Sequence, residues 1–354
     1  NLYNNLNKAS KAFKLHIAKP KFVEMSNEST AQDWTNRAGK YFGKGKNDYQ
    51  FVVFLLGEND YIYPELKRHS LVKNGYVSQV VKVDSIYKKG VMSICSKILL
   101  QINAKLGGIS YEAEFEKEIS DRKIMVVGVD SSHIQGKRTG VAMVASMNDS
   151  ITDFFNRENI IKEENKEQLN HCVSTFIEES CAAYVEINEE LPKNIIIYRQ
   201  GVSLQQKEFL KTEIKQIDQV CKAKSIAYYY ILVNTKTTYK FFEKDDEGYY
   251  YNPYAGLLIM GGITNRNFFE FYIQPQEVTG GSATPTCFHV AYGNMNFPEI
   301  IPKFTYDLCH LYSNWKGAVR VPNVIKCAEK LSKMTAKYTK AELKSNLEFG
   351  QPYL

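Results

Sequence analysis

The chain has 354 residues, 44% of them apolar and 24% charged. That is too long for one ordinary domain and apolar enough to build real cores, and no run reaches the roughly 18 consecutive apolar residues that a membrane helix needs. Disordered, fibrous and helical membrane classes are therefore excluded, and a net charge of +6 favours an anionic partner over a cationic one without identifying it.

In chain order, residues 1–45 are polar and read as linker and edge structure. The first residue is Asn1 and no signal segment opens the chain, so further protein is expected before it. Tyr49–Leu56 is a short apolar run before a turn and reads as a buried strand. A helix is expected over Tyr63–Val72, a second strand over Ser78–Val83, and a helix over Val91–Leu106 that stops at Gly107-Gly108. Strand, helix, strand, helix implies a small α/β unit with a parallel sheet. Lys123–Val129 then ends at Asp130, and Gly140–Met147 should pair back to it. A long helix is expected over Lys166–Ile187, a strand over Asn194–Tyr198, a helix over Ser203–Val220 and a strand over Ala227–Val233. Further strands are expected within 254–261 and 269–276, and a closing helix over Asn323–Tyr338. These form a second, larger α/β unit.

The seven cysteines are an odd number with no C-x-x-C pair, which argues for reduced thiols in an intracellular protein and against a zinc module. His133, His171, His289 and His310 lie far apart and share no ligand spacing.

Three sets of residues could carry chemistry. Asp130 and Gln200 each follow a strongly apolar strand, where α/β sheets place ligand-facing groups; if those strands are neighbours, the two residues share one cleft. A lone Asp there can equally cap a turn. Lys97, Gln101 and Lys105 recur every four residues on one helix face, and Tyr63 and Lys67 have the same spacing on the preceding helix. Converging amines, an amide and a phenol can bind a phosphate through charge-assisted hydrogen bonds, whereas the bland reading is a solvated basic face. Lys236, Lys240 and Arg320 are interleaved with aromatics, which suits an RNA backbone with stacked bases and also an ordinary surface.

Several blocks, in order, make the sequence resemble the Argonaute/Piwi family, closer to its Piwi branch. They are Lys105-Leu-Gly-Gly108, Gly128-Val-Asp-Ser-Ser-His133, Ile195–Ser203, Gly281–Thr286, Phe304–Tyr312 with Asn314-Trp315, and Arg320-Val-Pro322. The resemblance implies a Mid domain over 46–118 and a Piwi domain of ribonuclease H-like fold over 119–354, with the amino-terminal and PAZ portions outside the chain. It implies that Tyr63, Lys67, Gln79 and Lys105 hold the 5′ phosphate of a small guide RNA. Gln101 stands where the other branch has a lysine, as in Piwi proteins. There a divalent cation, Mg²⁺, joins the phosphate to the C-terminal carboxylate, here that of Leu354, whose segment resembles a Piwi-type ending.

Slicing members of the family hold two metal ions with three acidic residues and a fourth ligand that is His or Asp. The matching positions here are Asp130, Gln168 (or Glu167 with the register slipped by one), Gln200 and Glu329. Two of the four are neutral amides, and an amide oxygen is a poor substitute for a carboxylate that bridges two hard cations. The resemblance therefore implies a guide-loaded protein that pairs with complementary RNA in the cytoplasm or nucleus without cutting it. It would act through a recruited protein partner, such as a nuclease. The alternatives are a metal-dependent ribonuclease with unusual ligands and a scaffold that carries no RNA.

Overall fold

The computed structural model describes all residues except 27–28, 43–48, 58–59, 136, 163–167 and 265–267. Residues 1–45 do not behave as a linker: they carry two helices, α1 (Leu2–Ser10) and α2 (Ala31–Gly39). Leu6 and Ala9 of α1 are buried in a cluster with Cys95, Ile98 and Leu99. Helix α2 opens with a reciprocal cap, the Thr30 side chain accepting from Asp33 N and the Asp33 carboxylate accepting from Thr30 N at 2.8 Å. That Thr-x-x-Asp signature lies in the sequence, hidden by polar surroundings.

The small unit follows the expected order: β1 (Val52–Leu56), α3 (Tyr63–Lys67), β2 (Ser78–Lys82), α4 (Val83–Tyr87) and α5 (Val91–Lys105). β1 and β2 are parallel, with Val53 opposite Gln79. Helix α3 continues through a wider turn at Arg68–Asn74 and ends on Gly75 at φ 69°. Helix α5 ends before Gly107 at φ 85°, a left-handed position that glycine adopts without a Cβ penalty.

After α6 (Lys117–Ser120) come the strands β3 (Ile124–Ile134), β4 (Arg138–Ser146) and β5 (Phe154–Lys162). They lead to α7 (Gln168–Asn188), β6 (Asn194–Gln200), α8 (Lys207–Ala223) and β7 (Ala227–Asn234). A two-stranded hairpin, β8 (Glu243–Lys244) with β9 (Tyr250–Tyr251), precedes β10 (Leu257–Ile259), β11 (Glu270–Gln274) and β12 (Thr286–Gly293). The helices α9 (Ile301–Leu308) and α10 (Asn323–Lys333) come last. The eight-stranded sheet has the order β10-β11-β12-β7-β6-β3-β4-β5. Its centre, β3, β6 and β7, is parallel, and β4 pairs back antiparallel to β3 as expected.

The central strands are mostly apolar up to Val129, Tyr198 and Val233, because both sheet faces are covered there. On β3, Ile124 and Val126 face a core with Phe304 of α9 and Ala328 of α10. Met125, Val127 and Val129 face the opposite core, with Ile177 of α7 and Ile217 of α8. At two points the backbone of helix α10 lies directly against the sheet. A methyl group on Gly128 would sit 2.3 Å from the Val324 carbonyl carbon, and one on Gly140 would sit 2.6 Å from the Ser332 carbonyl oxygen. Those two glycines let α10 approach closely enough for its side chains to reach β3.

Within the large unit, β5, β12 and α9 are among the elements that went unrecognised in the sequence. Edge strand β5 mixes charge into its apolar pattern, because Arg157 pairs with Glu179 and Glu348 outside the sheet. β12 starts directly after Pro285, and α9 is an eight-residue helix with Pro302 in its first turn. The two units also share a core, since Leu71 and Ala104 of the small unit pack in the same cluster as β3 and α10. The chain's last segment ties them further, Lys344 N donating to Leu71 O at 2.9 Å and Asn346 Nδ2 to Gly75 O at 2.7 Å.

Candidate functional site

Tyr63, Lys67, Gln79, Gln101 and Lys105 converge between α3, β2 and α5. The ammonium groups of Lys67 and Lys105 both donate to the Ser78 carbonyl, at 3.2 and 3.0 Å, and Lys105 also donates to Gln79 Oε1 at 2.7 Å. Gln79 Nε2 donates to Gln101 Oε1 at 2.8 Å, and Gln101 Nε2 donates to Asn314 Oδ1 of the large unit at 2.6 Å. The Tyr63 ring lies 6.0 Å from the Lys67 ammonium and edge-on to Tyr338. Lys97 lies outside this set, its ammonium 4.5 Å above the Trp315 ring.

Lys67 and Lys105 are 2% and 6% exposed, and no described carboxylate forms an ion pair with either. Burial pulls the Lys67 ammonium down to about 8, helped by the charge of Lys330. Burial and the charges of Lys67 and Lys330 lower Lys105 well below the usual lysine range. Lysine ammonium groups gathered away from water without an anion are the electrostatic complement of a multiply charged anion. Leu354 is buried in the core shared by both units. Three residues earlier, Gln351 Nε2 donates to Ser313 Oγ at 3.1 Å, beside Asn314.

The second site is a cavity of about 830 Å³ whose walls include Asp130, Gln200, Lys236, Glu270, Glu329 and Lys333. Because β3 and β6 are parallel neighbours with Val129 opposite Arg199, Asp130 and Gln200 stand side by side. Asp130 is within β3 rather than at its end, since the strand runs on to Ile134 against β4. Its Oδ2 accepts from the Ser332 hydroxyl at 2.6 Å. Burial raises the Asp130 carboxyl, partly offset by that bond and by the charge of Arg199. Arg199 itself is buried and pairs with Glu213 at 3.0 Å. Gln200 Oε1 is buried without a hydrogen-bond partner among the described residues.

Glu329 accepts from Lys326 at 2.8 Å on one oxygen and from Lys333 on the other. Burial pushes its carboxyl up, but the two ammonium groups outweigh this and hold it below the usual range. Gln168 is exposed at the start of α7 and does not line the cavity. The expectation that it stands at the cleft is corrected, because the α7 face that packs on the sheet begins with Leu169, Cys172 and Val173. Glu167 lies outside the described residues. Among the described residues, no group of three or more His, Cys, Asp or Glu is placed to hold a metal ion.

The remaining basic residues are not equivalent. Lys236 lines the cavity, whereas Lys240 is exposed and donates to Thr284 Oγ1. Arg320 is half-buried and braces the loop after β7 by donating to Thr235 O at 2.7 Å. Sequence reasoning passed over Asn314, Lys326, Lys330, Ser332 and Lys333. Lys326, Lys330 and Lys333 have the helical spacing that drew attention to α5, and that was the signal available.

Comparison with known proteins adds to this geometry. The Piwi domain family matches residues 50–340. The chain is 32% identical over 304 residues to Piwi-like protein Ago3 of Bombyx mori, covering 83% of this chain and 32% of that one. It is also 32% identical over 317 residues to Piwi-like protein 1 of Danio rerio, covering 86% and 36%. It thus spans about a third of the length of these relatives. The crystal structure of Drosophila Piwi superposes with a TM-score of 0.88 at 25% identity, over all of this chain and 48% of that one. Kluyveromyces polysporus Argonaute with a guide RNA superposes with a TM-score of 0.83 at 19% identity, over 100% and 48%. The fold is accordingly that of the Mid and Piwi portions of Argonautes, the larger unit being ribonuclease H-like.

Proposed function

The chain belongs to the Piwi family, and from that premise we propose that it is a small-RNA-guided RNA-binding protein. It holds the 5′-phosphorylated end of a guide RNA and pairs the guide with complementary RNA. It acts through recruited protein partners inside the cell rather than by cutting. The single observation that carries this reading is the convergence of Tyr63, Lys67, Gln79, Gln101 and Lys105, with two buried ammonium groups and no described carboxylate paired to them. The guide RNA held by the similar Kluyveromyces Argonaute supports the class of ligand.

We assign the Mid domain to residues 46–118 and the Piwi domain to 119–354, the helices of residues 1–45 packing onto the former. For a magnesium ion at the guide end, the donor the pocket offers is Gln101 Oε1, which accepts one hydrogen bond and keeps a lone pair, with the Leu354 end of the chain as its proposed second holder. Gln101 and Leu354 would hold it. When bound, it adds positive charge where the other branch has a lysine. Lys236, and more peripherally Lys240 and Arg320, belong to the surface along which the RNA backbone runs.

Two observations support an inert cleft. Gln200 places a neutral amide where two metals would need a bridging carboxylate, and both oxygens of Glu329 are taken by lysines. The test of the reading is filter binding of one RNA with a 5′ phosphate and with a 5′ hydroxyl. The expected result is a preference of about tenfold or more for the phosphate. Equal affinities would overturn it.

A further inference from the structure

Helix α10 carries Lys326, Lys330 and Lys333 around a single carboxylate, Glu329, so this stretch has two positive charges in excess. Glu329 and Lys333 line both the large cavity and a second one of about 390 Å³, in which Lys326 and Lys330 also stand. α10 is thus the wall between them. A divalent cation at the cleft would need about six oxygen ligands. Asp130 offers a carboxylate already bonded to Ser332, Glu329 has both oxygens engaged by ammonium groups, and Gln200 is neutral. Glu270, a third acidic residue of the cavity, accepts from Tyr272 at 3.2 Å and lies 3.4 Å from His289 Nδ1. Among the described residues, those of the cavity do not fit the pair of metals that the fold family implies.

We infer that the ammonium groups brought to Glu329 by Lys333 and, from the adjoining cavity, by Lys326 take the place of divalent cations at this cleft, and that Lys333 there binds a phosphodiester of the paired RNA without metal. An ammonium group has three N–H donors, and the bond to Glu329 uses one of those on Lys333. The Lys333 side chain is 57% exposed, so its remaining donors are open to a ligand, while the Lys326 side chain, at 32%, is the more enclosed. Glu329 then fixes the positions of the two lysines rather than holding a metal. The buried oxygen of Gln200 is an orphaned acceptor, and a ribose 2′-hydroxyl beside that phosphodiester, which unlike the phosphodiester has a hydrogen to donate, would satisfy it. The phosphodiester half of this inference rests on the guided RNA-binding reading, and the cation half does not.

The test has two arms. In the first, Mn²⁺ binding to the guide-free chain is followed by electron paramagnetic resonance. Lys326→Gln with Lys333→Gln should bind Mn²⁺ at least about tenfold more tightly than the parent, and adding Asp130→Asn should abolish the gain. Lys333→Gln alone, the milder change, should show part of it if the double variant folds poorly. A parent that binds Mn²⁺ as tightly as these variants, through Asp130, overturns the inference. In the second arm, guide-loaded protein binds complementary RNA across a salt series. Lys333→Ala should lower affinity about threefold to tenfold and reduce the salt slope by about one, and Lys333→Arg should restore both. No change in slope or affinity overturns the phosphodiester assignment. A chain that takes up no guide defeats the functional reading, while the Mn²⁺ arm still decides the cation replacement.

Discussion

The small-unit pocket and the large-unit cleft are both lined by lysines, and they differ in what those lysines face. In the pocket, Lys67 and Lys105 point at one backbone carbonyl, and no described carboxylate pairs with them. At the cleft, Lys333 closes on one oxygen of Glu329, and Lys326, from the adjoining cavity, closes on the other. Burying ammonium groups without a counter-charge is costly, so the pocket is poised for an anion that arrives with a ligand. The cleft has already balanced much of its charge internally. Helix α10 serves both, since Lys330 sits in the field of Lys67 and Lys105 while Lys333 faces Asp130. A carboxylate within about 4 Å therefore makes a lysine a built-in counter-ion as well, and leaves less of its charge for a ligand.

The sharpest way to break this comparison is to look for cleavage. With a matched guide and target and either Mg²⁺ or Mn²⁺, the parent should give no site-specific cut opposite the guide's central nucleotides. Gln200→Asp combined with Lys326→Gln and Lys333→Gln should give a detectable one, because it restores one negative charge and removes two positive ones. A cut by the parent that disappears in Asp130→Ala would mean the cleft is not balanced in the way described.

Next in size are the pocket lysines. Lys67→Ala or Lys105→Ala removes charge-assisted bonds worth roughly 1.5–3 kcal/mol, so affinity for 5′-phosphorylated RNA should fall about 10- to 100-fold. Affinity for the 5′-hydroxyl RNA should barely move, and an equal loss for both RNAs in a filter-binding titration would place the phosphate elsewhere.

A smaller effect separates the sites by pH. Burial holds Lys67 down to about 8 in the guide-free chain. A bound phosphate favours the ammonium, so guide binding takes up a proton. The Lys67 contribution is whole below about pH 8 and is lost as pH rises through it, up to about tenfold in affinity between pH 7 and 9. Glu329 is held below its usual range and stays ionised over that interval, so the cleft should not respond. A flat pH profile of guide binding, measured by fluorescence anisotropy with Lys67→Arg as control, would contradict the anion-ready pocket.

The smallest expected change concerns the tie between the units. Asn314→Ala removes the partner of Gln101 Nε2, a neutral bond worth about 0.5–1.5 kcal/mol. Guide affinity should drop only a few-fold, with little change in thermal stability, because the shared core around Leu71 and Ala104 remains. A loss as large as that of Lys105→Ala would make Asn314 a direct phosphate ligand.

Much of this was legible before any coordinates. The apolar runs of β3, β6 and β7, the stop at Gly107 and the four-residue spacing of Lys97, Gln101 and Lys105 are local signals, written in the periods of strand and helix. The helices α1 and α2 were not read, since their few buried residues, such as Leu6, Ala9 and Ala38, are scattered through polar sequence. Lys97 shows the limit of spacing: it shares a helix face with Gln101 and Lys105 yet stacks on Trp315.

Residue type and local order by themselves determined the parallel small unit, the neutral amides at 168 and 200, and the candidate set of lysines. Only the tertiary structure decided their company. Ser332 meets Asp130 across 202 positions of sequence, Gln101 meets Asn314 across 213, and Gln168 falls outside the cleft altogether. Periodicity states which side chains share a face, but a charge takes its role from the nearest opposite charge. For Asp130 and Gln101 that neighbourhood is set by how closely α10 and the chain segment before it settle on β3 and on the small unit. Gly128 and Gly140 permit that approach on β3, and no local pattern announces it.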